Sequence, residues 1–154
     1  MLKAKAIEFL KTREFVSVAT ADFEGNPNAA PKFLLKIEGD YIYLVDYIIG
    51  RTWENIKKNP KASLSLMDPD SLRGYQISGA VEIIDKGKVY DQILNELSKK
   101  KVDSSIKRII EGVYRGKRHE SFEISLPERF VVLKVKIEEI VEIGPYGELK
   151  REKV

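Results

Sequence analysis

The stretch from Asn28 to Pro60 constrains the fold more than any other part of this chain. Strand-forming residues run through Ala29–Ile37, Glu38-Gly39-Asp40 closes a hairpin, and Tyr41–Val45 returns. Asp46-Tyr47-Ile48-Ile49-Gly50 then delivers the strand end directly into a helix start, Arg51-Thr52-Trp53-Glu54-Asn55-Ile56, and Asn59-Pro60 ends that helix. The first turn of a helix carries backbone N–H groups without intrahelical partners, at the positive end of the dipole, so an anion is favoured there. Arg51 offers a planar fork of donors and Thr52 a hydroxyl. The pattern reads as a phosphate site at the edge of an antiparallel sheet, with a phosphorylated cofactor as the expected ligand. The plainer alternative makes Arg51 a surface residue and Thr52 an N-cap.

The rest of the chain supplies the sheet. Leu2, Ala6, Phe9 and Leu10 share one face of a first helix. Phe15–Ala21 alternates as a strand, and Asp22 to Pro27 is a turn cluster. On the second strand, Phe33, Leu35 and Ile37 are expected on one face, with Lys32 and Lys36 on the other. Ala62–Met67 and Tyr75–Ile84 follow as strands, and Gly79 inside the second predicts a bend or a close backbone approach. Helices are expected around Val89–Leu97 and Ile106–Val113, then strands at Phe122–Ile124 and Arg129–Ile143. Residues 147–154 read as a loose, charged tail. Strands in hairpin order with helices at the periphery predict a single mainly β domain over residues 1–146, an antiparallel β-barrel with helical decoration. A doubly wound fold would need strand and helix to alternate throughout, and here they do not.

Several chemistries are excluded or disfavoured. The absence of cysteine rules out disulfides, thiolate catalysis and Cys-ligated zinc. His119 is the single histidine, and it reads either as an exposed loop residue or as a group orienting a substrate. No G-x-G-x-x-G occurs, and Gly112 to Arg118 departs from a P-loop in its glycine spacing and in having Arg where Ser or Thr belongs. A net charge of +3, from 27 basic and 24 acidic residues, gives little reason to expect nucleic acid as a partner. No apolar run reaches membrane-spanning length and Met1–Ala6 lacks a signal-peptide apolar core, so a cytoplasmic, membrane-free protein is expected.

Four further features bear on a ligand. Lys32 faces a groove where it can neutralise a phosphate or polarise an electron-rich ring, or stay solvated. Ser63 and Ser65 are small enough to leave room against the sheet. Gln76 can hydrogen-bond a flat heterocycle or serve as an ordinary polar strand residue. Trp53, the sole tryptophan, is read as a packing or interface anchor.

The order of these pieces resembles the pyridoxamine 5'-phosphate oxidase-like, FMN-binding split-barrel family. The matching run begins at Phe15-Val16-Ser17-Val18-Ala19-Thr20, passes Gly25 to Pro31 and Tyr41 to Asp46, and continues through Arg51 to Leu66 and Gly79 to Ile83. The resemblance implies a six-stranded antiparallel split barrel of Greek-key type, with FMN at a homodimer interface. It implies that Arg51 and Thr52 hold the FMN phosphate, with Lys32 near the phosphate or the ring. The main chain of Val45, Asp46 and Tyr47 would run along the isoalloxazine, and Asn55 would brace the helix start or reach the ribityl-phosphate. Gln76 would approach from the second subunit, with Trp53 and Tyr75 as interface aromatics. The activity implied is that of an oxidoreductase or flavin reductase, with carriage of flavin, deazaflavin or haem as the alternative. The C-terminal Trp and Arg signature of the vitamin oxidases is missing: the chain reads Glu142-Ile143-Gly144-Pro145-Tyr146-Gly147 there, which argues against vitamin B6 oxidation.

Overall fold

Alternation along the first strand sets the architecture, because side chains at every second position share a face. Val16, Val18 and Thr20 of β1 (Phe15–Ala21) are buried, while Phe15, Ser17 and Ala19 between them are exposed. The computed structural model describes residues 1–46, 50–99 and 130–154. The chain forms two compact units, residues 1–84 with 129–154, and residues 85–128.

The first unit holds α1 (Leu2–Lys11), β1, β2 (Pro27–Glu38), β3 (Tyr41–Asp46), α2 (Arg51–Lys58), β4 (Lys61–Asp68), β5 (Arg73–Ile84), β6 (Val131–Ile143) and β7 (Leu149–Lys153). The strands run β3-β2-β1-β4-β5-β6-β7, and β3 also pairs with β6, which closes six strands into an antiparallel barrel. β6 makes this possible by its length. One edge pairs with β5 almost throughout; the other serves β3 over Val131–Lys136 and β7 over Glu139–Ile143. Val18, Ile42, Leu44, Leu64, Ile77, Leu133 and Ile140 fill the interior, joined by Ala6 and Leu10 from α1 and Ile56 from α2. In the second unit, residues 88–99 are helical, with Ile93 and Leu97 buried. The expected helix at Ile106–Val113, the strand at Phe122–Ile124 and His119 lie outside the described residues.

Two irregularities aim the strands. At Gly79 an added Cβ would fall 1.7 Å from the carbonyl oxygen of Lys136, so β6 crosses where only glycine fits. The register shifts at the same point, as expected for a bend. The second shift lies between Leu34 and Lys36 on β2 and corrects the simple alternation. Leu34 joins the barrel's core cluster, Leu35 is buried outside that cluster, and Ile37 packs against the cluster from the far side of the shift. Lys32 and Lys36 are thereby separated: Lys32 is buried, whereas Lys36 pairs with Glu38 and lies over the Tyr43 ring.

The C-terminal residues are also ordered differently from the sequence expectation. Leu149–Lys153 is an edge strand on β6, closed by a turn at Gly147 (φ +83°). Its charged side chains, Lys150, Arg151, Glu152 and Lys153, suit an edge that must not pair further. Tyr75 is no surface aromatic. It is buried, its hydroxyl donates to Glu142 at 3.3 Å, and its ring stands 5.3 Å from that of Phe9. Burial, then the Glu142 charge, raises its phenol above the ordinary value.

Candidate cofactor site

The helix start lies beside the wall of the barrel. Gly50 is the N-cap of α2 and supplies no side-chain bond to the first-turn N–H groups. Thr52 is therefore inside the helix and is not its N-cap. Its side chain is buried and accepts a 3.0 Å hydrogen bond from Asn28 Nδ2. The Thr52 hydroxyl proton is left to donate elsewhere. One turn on, Asn55 is buried and its Nδ2 donates to Thr20 Oγ1 at 3.1 Å. Asn59 Nδ2 donates to the carbonyl of Ala21 at 3.1 Å. Three side-chain bonds thus fasten α2 to β1 and β2, and Trp53 packs half-buried against the core with the Lys57 ammonium 4.0 Å from its ring centre.

A cavity of about 360 Å³ opens where α2 meets β2 and β3. Asn28, Ala30 and Lys32 contribute to it at alternate positions of β2, with Pro31, Phe33, Val45, Asp46, Gly50, Arg51 and Thr52 completing the wall beside Phe15. Phe15 and Phe33 meet edge to face, with ring centres 5.6 Å apart. Lys32 is buried and its Nζ lies 2.9 Å from Asp46 Oδ1, also buried. Arg51 is exposed and has no ion pair among the described residues. One end of the cavity is therefore apolar and aromatic, and the other presents a guanidinium, a hydroxyl and first-turn N–H groups. That combination fits a flat ring joined to a phosphate.

Of the residues singled out from the sequence, Lys32, Val45, Asp46, Arg51 and Thr52 line this cavity. Asn55 does not line it and braces the helix from behind. Gln76 is on the outer face of β5, where its Nε2 donates to Ser63 Oγ at 3.1 Å and Ser78 Oγ shares that acceptor. Tyr47 lies outside the described residues. Sequence reasoning missed the roles of Asn28, Phe15 and Phe33, and the carboxylate of Asp46. The spacing of Asn28, Ala30 and Lys32 was a usable signal, because it puts all three on one face. Among the described residues, no three acidic or histidine side chains are placed to hold a metal ion. No described helix is long and apolar enough to cross a membrane.

A closed six-stranded antiparallel barrel with peripheral helices defines the class of this protein as a split barrel. The family pattern described as pyridoxamine 5'-phosphate oxidase matches residues 2–144, and the chain belongs to that family. An uncharacterized protein of Methanocaldococcus jannaschii is 32% identical over 89 residues, which are 56% of this chain and 58% of that protein's length. Among solved structures, a Clostridium acetobutylicum protein related to general stress protein 26 superposes with a TM-score of 0.67 at 20% identity, covering 98% of this chain and 93% of the other. A pyridoxamine 5'-phosphate oxidase-related, FMN-binding protein of Nostoc punctiforme gives 0.60 at 13% identity, covering 99% and 94%. An F420 reductase gives 0.55 at 21% identity, covering 86% and 94%. At these identities the likeness is one of fold.

Proposed function

We propose that this chain binds FMN in the cavity at the start of α2 and acts as a cytoplasmic, homodimeric oxidoreductase or flavin reductase, with the site at the dimer interface. The observation that carries the reading is the meeting in one cavity of an aromatic wall, Phe15 and Phe33, with Arg51, which has no ion pair among the described residues, and a helix start whose N-cap, Gly50, offers no side chain. Arg51 and Thr52 would hold the phosphate, and Lys32 with the main chain at Val45–Asp46 would meet the polar edge of the ring. Bound flavin supplies the electron chemistry; the protein binds it, orients it and keeps water from one face. Asp46 fixes the Lys32 ammonium, so that cation has one geometry before any ligand arrives.

The homodimer reading draws on the outer face of β2-β1-β4-β5. Register aligns Pro31, Ser17, Ser65 and Gln76 in one row and Ala29, Ala19, Ser63 and Ser78 in the next. These rows are uncharged and small, which suits close approach of a second copy and would bring Gln76 to the partner's flavin.

The second reading, carriage of flavin, deazaflavin or haem without turnover, is favoured by one observation: Lys32, the buried cation of the cavity, is already engaged by Asp46. Anaerobic addition of NADH or NADPH to flavin-loaded protein separates the two. Bleaching of the flavin band over many turnovers with a spare acceptor supports the reductase. A bound flavin that stays oxidised with both donors supports the carrier, and protein that takes up no flavin contradicts both.

A further inference from the structure

Thr20 and Asn28 stand opposite one another on β1 and β2, and directly opposed residues of an antiparallel pair share a face. Each of the two binds α2. Thr20 Oγ1 accepts from Asn55 Nδ2 at 3.1 Å, and Asn28 Nδ2 donates to Thr52 Oγ1 at 3.0 Å. Thr52 and Asn55 are three positions apart and so lie on one face of the helix. The two bonds differ in where they end. Thr20 and Asn55 stand outside the wall of the first cavity, whereas Asn28 and Thr52 both line it, beside Gly50 and Arg51. One bond fastens the helix; the other ends on a hydroxyl that faces the ligand space. A threonine hydroxyl both donates and accepts, and it turns about its C–O bond to suit its neighbours. The Asn28 N–H occupies an acceptor position of Thr52 Oγ1, so the hydroxyl proton has to point away from Asn28. The groups beside it, the Arg51 guanidinium and the first-turn N–H groups left uncapped by Gly50, can only donate.

We propose that Asn28 is a positioning residue: its amide fixes the Thr52 hydroxyl as a donor, and so makes this end of the cavity selective for the phosphate of FMN over the uncharged ribityl end of riboflavin. The inference rests on the flavin reading above and adds to it a residue that acts through Thr52. Without the Asn28 amide the Thr52 hydroxyl is free to turn, and the phosphate has to hold it in place at a cost in affinity. Aspartate at position 28 has the same shape and the opposite effect. Its oxygens accept the Thr52 proton, and its charge stands beside the anion.

A double-mutant cycle on the full chain tests this, with FMN and riboflavin titrated by flavin absorbance into the natural protein, Asn28→Ala, Thr52→Val and the double variant. Asn28→Ala is expected to weaken FMN about fivefold when Thr52 is present and less than about twofold when valine has replaced it, with riboflavin changed less than about twofold throughout. Asn28→Asp keeps the size of the side chain and so reports even where truncation loosens the helix; it is expected to weaken FMN about thirtyfold or more. Equal losses from Asn28→Ala in the two backgrounds, equal losses for the two ligands, or Asn28→Asp binding FMN as well as Asn28→Ala does, each overturns the role of Asn28 and leaves the flavin reading standing. Natural protein that binds neither ligand overturns the two together.

Discussion

Lys32 Nζ and Asp46 Oδ1 lie 2.9 Å apart, both side chains at least nine-tenths buried, on adjacent strands at the wall of the cavity. An ion pair so sheltered from solvent is costly to break from one side, because the remaining charge has no water to replace its partner. Lys32→Met or Asp46→Leu alone is expected to cost about 3–5 kcal/mol in urea unfolding. The double variant should recover much of that loss. Additive losses would mean the two groups are not coupled.

The attachment of α2 should show in a second cycle. Asn55→Ala removes a buried bond to Thr20 and is expected to cost about 1–3 kcal/mol. Thr20→Val removes the acceptor, and the pair together should cost less than the sum. The readout is denaturant midpoint, with flavin affinity falling in parallel because α2 carries Arg51.

Gly79 is a test of barrel closure. Alanine there would drive a methyl into the Lys136 carbonyl, 1.7 Å from its oxygen. Gly79→Ala is expected to destabilise by about 3 kcal/mol or more, or to prevent soluble expression. Gly25→Ala, with nothing within 4 Å and only a positive φ of 83° to strain, should cost far less.

These residues mark how much was legible in advance. The strands β1 to β6 could be read because their apolar residues alternate, and Gly79 because glycine in a strand points to a crossing backbone. The helix start at Arg51 was visible from turn chemistry and Asn59-Pro60. The register shift at Leu35 was not, since Phe33-Leu34-Leu35 is apolar throughout and offers no phase. β7 was hidden because an edge strand with charges on every side looks like a solvated tail. The Lys32–Asp46 bond joins residues fourteen positions apart, and spacing alone gives no sign of a side-chain pairing at that range.

Tyr75 gives the pH dependence. Its phenol is raised from the ordinary value of 10.0 by burial and by Glu142, so the folded state holds that proton longer than the unfolded chain. This contribution is fully present below about pH 10 and is lost as pH rises through the folded pKa. Stability should therefore fall on the alkaline side, and Tyr75→Phe should flatten that limb while leaving the neutral-pH profile shape unchanged. An alkaline limb identical in Tyr75→Phe would assign the loss to another group.

The central claim is that Arg51 and the start of α2 bind a flavin through its phosphate. The most direct measurement is a titration with FMN and with riboflavin, followed by flavin absorbance, on the natural protein and on Arg51→Ala. The account predicts that Arg51→Ala weakens FMN about tenfold or more and riboflavin hardly at all, because only FMN carries the anion that Arg51 meets. Equal losses for the two ligands, or an FMN affinity untouched by Arg51→Ala, would contradict it.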